Sequence, residues 1–236
     1  MKTDRSATDG TPAEAPSSWR ELAVARSLDS ARMRAESRVQ RFLDAALELM
    51  NSSSGKEFTV QEVVERSGQS LRSFYQYFAG KYELLLALFE ESVRSTAEQL
   101  RECVAQEDDP LDRLHRFVIE YYRLCQPAPK SRSAKKYPII GLAEFAQRLL
   151  TEHPKEASAV FVPVVSLFEE LLDDAVAAGS IRPDLRHARV AGVILQAVMF
   201  NTFATTISAS SARGVDAAAE ELWDLIVHGI GTVAEA

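Results

Sequence analysis

The sequence predicts an all-α fold, in which a head of three helices carrying a helix-turn-helix precedes a larger helical body. Apolar residues recur with helical spacing in successive segments of the 236-residue chain. No stretch of useful length alternates apolar and polar residues as a strand does, and strands and helices do not alternate. Two short segments on either side of Gly68 have the length and spacing of a helix-turn-helix. We therefore expect a disordered, Arg-containing leader at residues 1–30, the head at 31–81 and the body at 82–236.

The composition is that of a globular chain whose charge is unevenly distributed. Hydrophobic residues make up 46% of the sequence, enough for a sizeable core, and the formal net charge is −7. Between Trp19 and Lys81, however, ten Lys and Arg residues stand against eight Asp and Glu residues. The overall acidity argues against coating of nucleic acid by the whole protein, but it does not exclude a small basic head that reads DNA.

Cysteine content and hydropathy favour a cytoplasmic protein. Cys103 and Cys125 are the only cysteines, so no disulfide framework is implied and a reducing compartment fits best. The first residues lack the apolar core of a secretory signal peptide. No apolar run approaches the roughly 20 residues that span a bilayer, so we expect no membrane contact.

The N-terminal segment is predicted to be a polar leader followed by the first helix of the head. Residues 1–18 are rich in Ser, Thr, Ala, Pro and Asp, a composition typical of disorder. Apolar residues at helical spacing from Val39 to Met50 predict a helix of about four turns that ends near Asn51. The arginines that precede Val39 have two interpretations, a solubilising tail or a segment that follows a duplex or enters its minor groove.

The second and third helices carry clear start and stop signals. Thr59 is followed three residues later by Glu62, the pattern of a capping box. Gly68 is placed to end the second helix, because glycine readily adopts the left-handed conformation that closes a helix. Ser70 is placed to cap the third helix, which is predicted to run to Phe78.

The third helix has an aromatic side and a polar side. On a helical wheel of roughly 100° per residue, the side expected to dock on the other helices carries Leu71, Phe74 and Phe78. The opposite side presents a guanidinium, a hydroxyl, an amide and a phenol, from Arg72, Ser73, Gln76 and Tyr77. Tyr75 lies at the rim, within reach of a phosphate backbone. Such polar groups bind base edges and phosphates, so this side is a candidate DNA-reading surface.

A resemblance to a known family supports this interpretation. The stretch TVQEVVERSGQSLRSFYQYFAGKYELL resembles the DNA-binding signature of the TetR family of bacterial transcription regulators. The matching positions are Thr59, Val60, Val63, Gly68, Ser70, Tyr75, Phe78, Lys81 and Leu84. The departures from the signature are Gln69 in place of a valine, Arg72 in place of a small residue and Tyr77 in place of a histidine. Because Gln69 cannot pack as the valine does, we expect Leu71 to supply the apolar packing instead.

The resemblance implies roles for individual residues of the head. Thr59 and Lys81 match phosphate-contacting positions, and Tyr75 matches a tyrosine that holds the DNA backbone. The positions of Ser73 and Tyr77 read bases or adjacent phosphates in that family. Gln61 matches a second-helix position that sometimes reaches a base. Helix starts also attract phosphate, and Arg72 is expected to read a guanine. The predicted DNA-binding set is Thr59, Gln61, Ser70, Arg72, Ser73, Tyr75, Gln76, Tyr77 and Lys81.

The body is predicted to contain about six helices, with a basic, proline-containing loop at residues 126–138 between two of them. The resemblance implies an effector pocket among the middle helices and a dimer interface made by the last two. The bulky residues expected to line an apolar pocket are Phe89, Phe117, Tyr121, Phe145, Phe161, Val165, Phe168, Phe200 and Phe203. The residues expected at the dimer interface are Val198, Thr202, Leu222, Trp223, Ile226 and Ile230. The implied partners are double-stranded operator DNA, a second copy of the chain and a small apolar effector.

Other chemistry finds little support in the sequence. The four histidines lack the spacing of a metal pair, and the sequence contains no nucleophile elbow, phosphate-binding loop or dinucleotide fingerprint. We therefore expect no catalytic residues, no metal and no cofactor. The favoured function is a homodimeric repressor released from its operator by an effector. Two alternatives stay open: an activator or ligand-independent regulator, which a collapsed body centre would favour, and a small-molecule-binding or enzymatic domain with a vestigial helix-turn-helix.

Overall fold

A computed structural model describes the chain at residues 18–52, 58–125, 142–199 and 214–231. Within these ranges the regular structure consists of nine α-helices, and the all-α prediction is confirmed. In chain order they are α1 (Trp19–Ser52), α2 (Val60–Ser67), α3 (Leu71–Tyr77), α4 (Lys81–Val104), α5 (Pro110–Cys125), α6 (Ala143–Glu152), α7 (Pro154–Ala177), α8 (His187–Met199) and α9 (Val215–Ile230). The described ranges leave out the predicted basic loop at 126–138 and three predicted site residues, Phe200, Thr202 and Phe203.

Helix α1 begins much earlier than the sequence analysis predicts. Its start is a capping box, in which the Ser18 N–H donates to Glu21 Oε2 at 2.9 Å and the Glu21 N–H donates to Ser18 Oγ at 3.4 Å. No glycine or proline interrupts α1, and its many Ala, Arg, Leu and Glu residues favour a helix. The expected disordered leader at residues 1–30 is therefore helical from Trp19 onwards, and residues 1–17 lie outside the described ranges.

An aromatic cluster holds the three helices of the head together. Phe42 of α1 meets Phe74 of α3 and Phe78, the residue after α3, edge-on, with ring centroids 5.4 and 6.1 Å apart, and all three rings are buried. Burying such a side chain contributes about 1.5–3 kcal/mol, and an edge-to-face contact adds about 0.5–1.5 kcal/mol. Val63 and Val64 of α2 complete this core. The cluster decides which side of α3 remains at the surface.

Helix α4 belongs to both the head and the body. It packs on α1 near the head and on α5 and α7 in the body, while α6 and α8 pack on α7 and α9 packs on α5. Large side chains buried at these crossings include Phe89, Phe117 and Phe168. The expected boundary between residues 81 and 82 falls in the first turn of α4, a continuous helix. Of the described helices, none has the length and apolar character needed to cross a membrane.

Candidate functional site

The predicted capping box closes the N-terminus of α2. Thr59 Oγ1 accepts a hydrogen bond from the Glu62 N–H at 3.2 Å, and Glu62 Oε2 accepts one from the Thr59 N–H at 2.7 Å. The Thr59 hydroxyl also donates to the Glu62 carboxylate at 2.9 Å. The hydroxyl proton is thus already used within the chain. The donors that this helix end offers to a phosphate are the first-turn N–H groups that have no partner inside the helix.

A tight turn then sets the direction of α3. Gly68 has a φ of 65°, and its N–H donates to the Glu65 carbonyl at 3.3 Å to close α2. Glycine adopts this left-handed conformation without the strain that a side chain would introduce. Ser70 caps α3, because its Oγ accepts a hydrogen bond from the Ser73 N–H at 3.1 Å. The turn and the caps confirm the predicted local structure.

The exposed side of α3 is formed by four residues, Leu71, Arg72, Tyr75 and Gln76. Leu71 is 43% exposed and Tyr75 is 57% exposed. Arg72 has neither a hydrogen-bonding nor an ionic partner among the described residues. This side therefore presents an apolar group, a guanidinium, a phenol and an amide together. These groups can contact a thymine methyl, a guanine, a phosphate and an adenine respectively in a major groove.

The rotation of α3 differs from the one expected from the sequence at three residues. Leu71 is predicted to dock on the head near Gln69, but it lies on the exposed side. Ser73 and Tyr77 are predicted to read DNA, but Ser73 Oγ is buried without a hydrogen-bond partner in the described ranges, and Tyr77 packs against the core. The reason is that the buried sector of α3 is centred on Phe74 and widens towards Ser73 and Tyr77 rather than towards Leu71.

The other predicted DNA contacts surround this exposed side. Lys81, the first residue of α4, holds its Nζ 4.8 Å from the centroid of the Phe58 ring, a cation–π contact that keeps the amine beside the head. Gln61 is exposed on α2, where its amide donates to Glu65 at 3.0 Å. Ser70 Oγ accepts the hydrogen bond that caps α3. The DNA contacts expected of Thr59, Gln61, Ser70 and Lys81 stay predictions.

The centre of the body contains a small apolar cavity where α4, α5, α7 and α8 meet. Its volume is about 10 Å³, and its lining residues are Phe89, Val93, Thr96, Tyr121, Phe161, Val164 and Met199. A cavity of this size holds at most a single water molecule. Among the described residues, the centre of the body therefore leaves no room for a larger ligand.

The predicted effector pocket overlaps this cavity only in part. The predicted residues that line it are Phe89, Tyr121 and Phe161. Phe117 and Phe168 instead pack on each other in the core, with ring centroids 4.9 Å apart, and Val165 packs at the edge of the core. The predicted set lacks Val164 and Met199, and it lacks Val93 and Thr96 on α4. Their positions four and seven residues after Phe89, on the same side of α4, were the available signal.

The polar groups near the cavity are buried and neutral. Ser92 Oγ is buried without a hydrogen-bond partner in the described ranges, and Thr96 is also buried. Burial raises the pKa of Tyr121 well above its ordinary value, and it raises the pKa of the adjacent Cys125 to about 12. Tyr121 and Cys125 are therefore uncharged at neutral pH. Such a centre suits the apolar part of a ligand rather than an ion.

A second cavity, of about 200 Å³, lies where the head meets the body, and its lining includes Phe145 together with Lys81 and Arg148. Phe145 is therefore placed at this junction rather than at the central cavity. Tyr82 bridges the junction, because its hydroxyl donates to Glu156 at 2.5 Å. Desolvation, and after it the hydrogen bond with Glu156, raises the pKa of Tyr82 to about 12. This contact links the first turn of α4 to the first turn of α7.

Most of the residues predicted for a dimer interface lie in the core of the chain itself. The buried ones are Val198, Trp223, Ile226 and Ile230. The Trp223 ring, for example, lies 5.0 Å from the ring of His115 on α5. Leu222 is half-buried. The sequence analysis assigned the inner side of α9 to a partner, because both sides of the helix carry apolar residues and their periodicity alone does not tell them apart.

The outer sides of α8 and α9 carry different apolar residues. Val193 of α8 is 61% exposed and Leu225 of α9 is 73% exposed. Gly192 and Ala197 lie on the same exposed side of α8 as Val193. Small residues allow a neighbouring helix to approach closely, so these outer sides are the surfaces of the last helices that a second chain could cover.

Comparison with known proteins identifies the family of the head. Residues 42–88 match the family described as bacterial regulatory proteins, tetR family. The chain is also 19% identical over 188 residues to the fatty acid metabolism regulator protein of Bacillus subtilis (strain 168). That alignment covers 80% of this chain and 93% of the relative.

Solved structures of regulators share the fold of most of the chain. The transcriptional regulator FadR from Bacillus subtilis, in complex with stearoyl-CoA, gives a TM-score of 0.61 at 17% identity and covers 81% of this chain and 98% of that one. A TetR family transcription regulator from Marinobacter aquaeolei VT8 gives a TM-score of 0.59 at 16% identity and covers 85% of this chain and 98% of that one. In the described ranges, His, Cys, Asp and Glu residues do not gather into a metal-binding group. The matched residues 42–88 identify the head as that of the tetR family of bacterial regulatory proteins, and the chain shares the fold of a TetR family transcription regulator.

Proposed function

We propose that two copies of this chain form a dimer that binds operator DNA, with α3 of each copy in the major groove. The observation that supports this most directly is the exposed side of α3, where four side chains stand free of the head core. On this proposal Arg72 reads a guanine and Gln76 an adenine, the pairings that their hydrogen-bonding groups favour. Tyr75 and Lys81 contact the phosphate backbone on either side.

The proposal assigns DNA binding to the head at residues 31–81, and ligand binding and dimerisation to the body at 82–236. In the proposed dimer the outer sides of α8 and α9 meet those of the second copy, with Val193 and Leu225 at the seam. A dimer is needed because one short helix reads few base pairs, whereas two heads about one turn of DNA apart multiply the specificity.

We further propose that the regulator is a repressor released by an effector with an apolar chain. The neutral, apolar character of the body centre supports this class of ligand, as does the stearoyl-CoA held by the similar FadR structure. Because the cavity measures about 10 Å³, α4, α7 and α8 must separate to admit such a chain. The ligand would then favour a conformation with displaced heads and lower operator affinity.

A regulator that needs no small ligand is the second candidate, and the small size of the cavity among the described residues favours it. The two candidates share the head and the dimer, and they differ in whether the body expands around a ligand. Ser92 is a useful residue here, because its buried and unsatisfied hydroxyl could receive a hydrogen bond from a ligand.

DNA binding is tested by selecting an operator from a random duplex pool and measuring affinity by fluorescence anisotropy. Wild type should bind the selected duplex at nanomolar concentration with strong salt dependence. Arg72→Ala should cost about 1–3 kcal/mol and relax the preference at one base pair. Arg101→Ala, which removes an exposed arginine at the far end of α4, is the matched control and should bind normally. Equal affinity of Arg72→Ala and wild type at every sequence would contradict the proposed reading surface.

The dimer and the effector need separate measurements. Sedimentation should give a dimer for wild type and a monomer for Leu225→Asp, with Val162→Asp, an exposed residue of α7, as the control that stays dimeric. Acyl-CoAs of increasing chain length should release the labelled duplex and raise the melting temperature of wild type. If they do neither while operator binding is intact, the ligand-independent candidate is the correct one.

A further inference from the structure

The N-terminal half of α1 extends away from the head and is exposed along its whole length. Every residue from Ser18 to Arg34 is exposed. The buried residues of α1, which seat it against the head, begin at Phe42. At 1.5 Å per residue the segment from Trp19 to Arg38 is about 30 Å long. Most of the stability of a helix in a protein comes from packing of one of its sides, so a partner that covers this segment would stabilise it.

The charges on this segment are separated onto different sides of the helix. At roughly 100° per residue, four arginines fall within a stripe about 60° wide, namely Arg20, Arg34, Arg38 and Arg41. The acidic residues between Trp19 and Arg41 lie at least about 100° from this stripe, and they are Glu21, Asp29 and Glu36. The four arginines have neither ionic nor hydrogen-bonding partners among the described residues. Arg32, on the other side of the helix, is instead paired with Glu36 at 2.7 Å.

The stripe begins beside the helix that reads DNA. Arg38 lies one turn before Phe42, and the Phe42 ring contacts Phe74 of α3 at 5.4 Å. Three arginines in two turns place one guanidinium about every 5 Å along the axis of α1. Each strand of a duplex carries one phosphate for about every 3.4 Å of the duplex axis, so neighbouring arginines can meet neighbouring phosphates. The stripe thus reaches the part of α1 that packs on α3, and the excess negative charge of the chain lies after Lys81.

We propose that this arginine stripe is a second DNA contact, which binds backbone phosphates flanking each half-site. The proposal rests on the proposed function of the head and adds to it a contact that reads no bases. Guanidinium groups that neutralise phosphates release condensed counterions, so the stripe adds affinity for any sequence and steepens the salt dependence. Its length of about 30 Å corresponds to about nine base pairs of flanking duplex.

Two double variants of the full chain, equal in charge, test the proposal. Arg34→Gln/Arg38→Gln removes two arginines of the stripe, and Arg26→Gln/Arg32→Gln removes two from other sides of the same exposed segment. The probe is the selected operator with at least ten flanking base pairs on each side. The stripe variant should lower the slope of log Kobs against log salt by about 0.9 for each phosphate that it no longer binds, or about 1.8 per subunit. The control variant should keep the wild-type slope.

Duplex length gives a second readout. Removing the flanking base pairs should weaken binding by wild type and by the control variant, and should weaken binding by the stripe variant much less. Equal slopes for all three proteins, or an equal decrease in slope for both double variants, would overturn the proposal while specific operator binding stands. A stripe variant with normal slope but altered sedimentation would overturn it in favour of contact with a second copy. If wild type selects no operator at all, both the proposed function and this second DNA contact fail.

Discussion

Replacing Ser73 with alanine tests whether DNA is read by the exposed side of α3 rather than by the side expected from the sequence, which includes Ser73. Ser73 Oγ is buried and lacks a hydrogen-bond partner in the described ranges. A buried, unsatisfied hydroxyl costs about 1–3 kcal/mol, and alanine is a better helix former than serine by about 0.5 kcal/mol. Loss of a single oxygen atom leaves only a small void. We therefore expect Ser73→Ala to raise the free energy of unfolding by about 1 kcal/mol and the melting temperature by about 2–4 °C.

The same variant should bind operator DNA as wild type does. Urea denaturation followed by circular dichroism measures the first effect, and fluorescence anisotropy measures the second. Arg72→Ala, one residue earlier and on the exposed side, is the matched comparison: it should leave stability within about 0.5 kcal/mol and weaken operator binding by about 1–3 kcal/mol. If Ser73→Ala weakens binding as Arg72→Ala does, the Ser73 hydroxyl faces the DNA and α3 is rotated differently on the head.

Four predictions concern the capping box, the turn glycine and the buried thiol of Cys125. Thr59→Ala removes the capping box and should lower the free energy of unfolding by about 1 kcal/mol in urea denaturation, whereas Thr59→Ser keeps a cap and should lower it little. Gly68→Ala should cost more than about 0.5 kcal/mol, because φ is 65° at this position, and Gly68→Asn should cost less. A thiol reagent should label Cys103 in the native protein and spare buried Cys125, whose pKa is raised to about 12, with both labelled in urea. Above about pH 9 Cys125 ionises in the unfolded chain, whereas the folded chain keeps the thiol protonated up to about pH 12. The free energy of unfolding should therefore fall over this range with a slope of up to about 1.4 kcal/mol per pH unit. Cys125→Ala should abolish this contribution to the pH dependence. Native labelling of both thiols at equal rates would contradict the burial of Cys125.

The turn of the head was predictable because local hydrogen bonds decide it. Thr59 and Glu62 lie three residues apart, and Gly68 and Ser70 act on the backbone next to them, so the sequence alone contains both partners of each contact. The same reasoning could have found the start of α1, where Ser18 and Glu21 repeat the pattern. Apolar periodicity does not reveal this start, because the N-terminal half of α1 has no core to face.

The rotation of the helices was not predictable in the same way. Which side of α3 is buried depends on Phe42, a residue far away in the sequence, and the helical wheel contains no information about that contact. The same limit applies to α9, where Trp223 faces α5 and Leu225 faces outwards although both are large and apolar. The cavity is a third case, because its volume depends on how four helices pack and not on the residues that line it.

Helix α4 runs without glycine or proline from the edge of the head into the centre of the body, so a tilt of the helix at one end displaces its other end. Thr96 lies at the cavity and Lys81 at the head, and the helix axis between them is about 22 Å long. A tilt of about 5° around Thr96 moves Lys81 by about 2 Å. In the proposed dimer, opposite tilts change the separation of the heads by about 4 Å, slightly more than the 3.4 Å rise of about one base pair. A repacking at the cavity that leaves every helix intact is therefore sufficient to shift one head by a full base-pair step relative to the other.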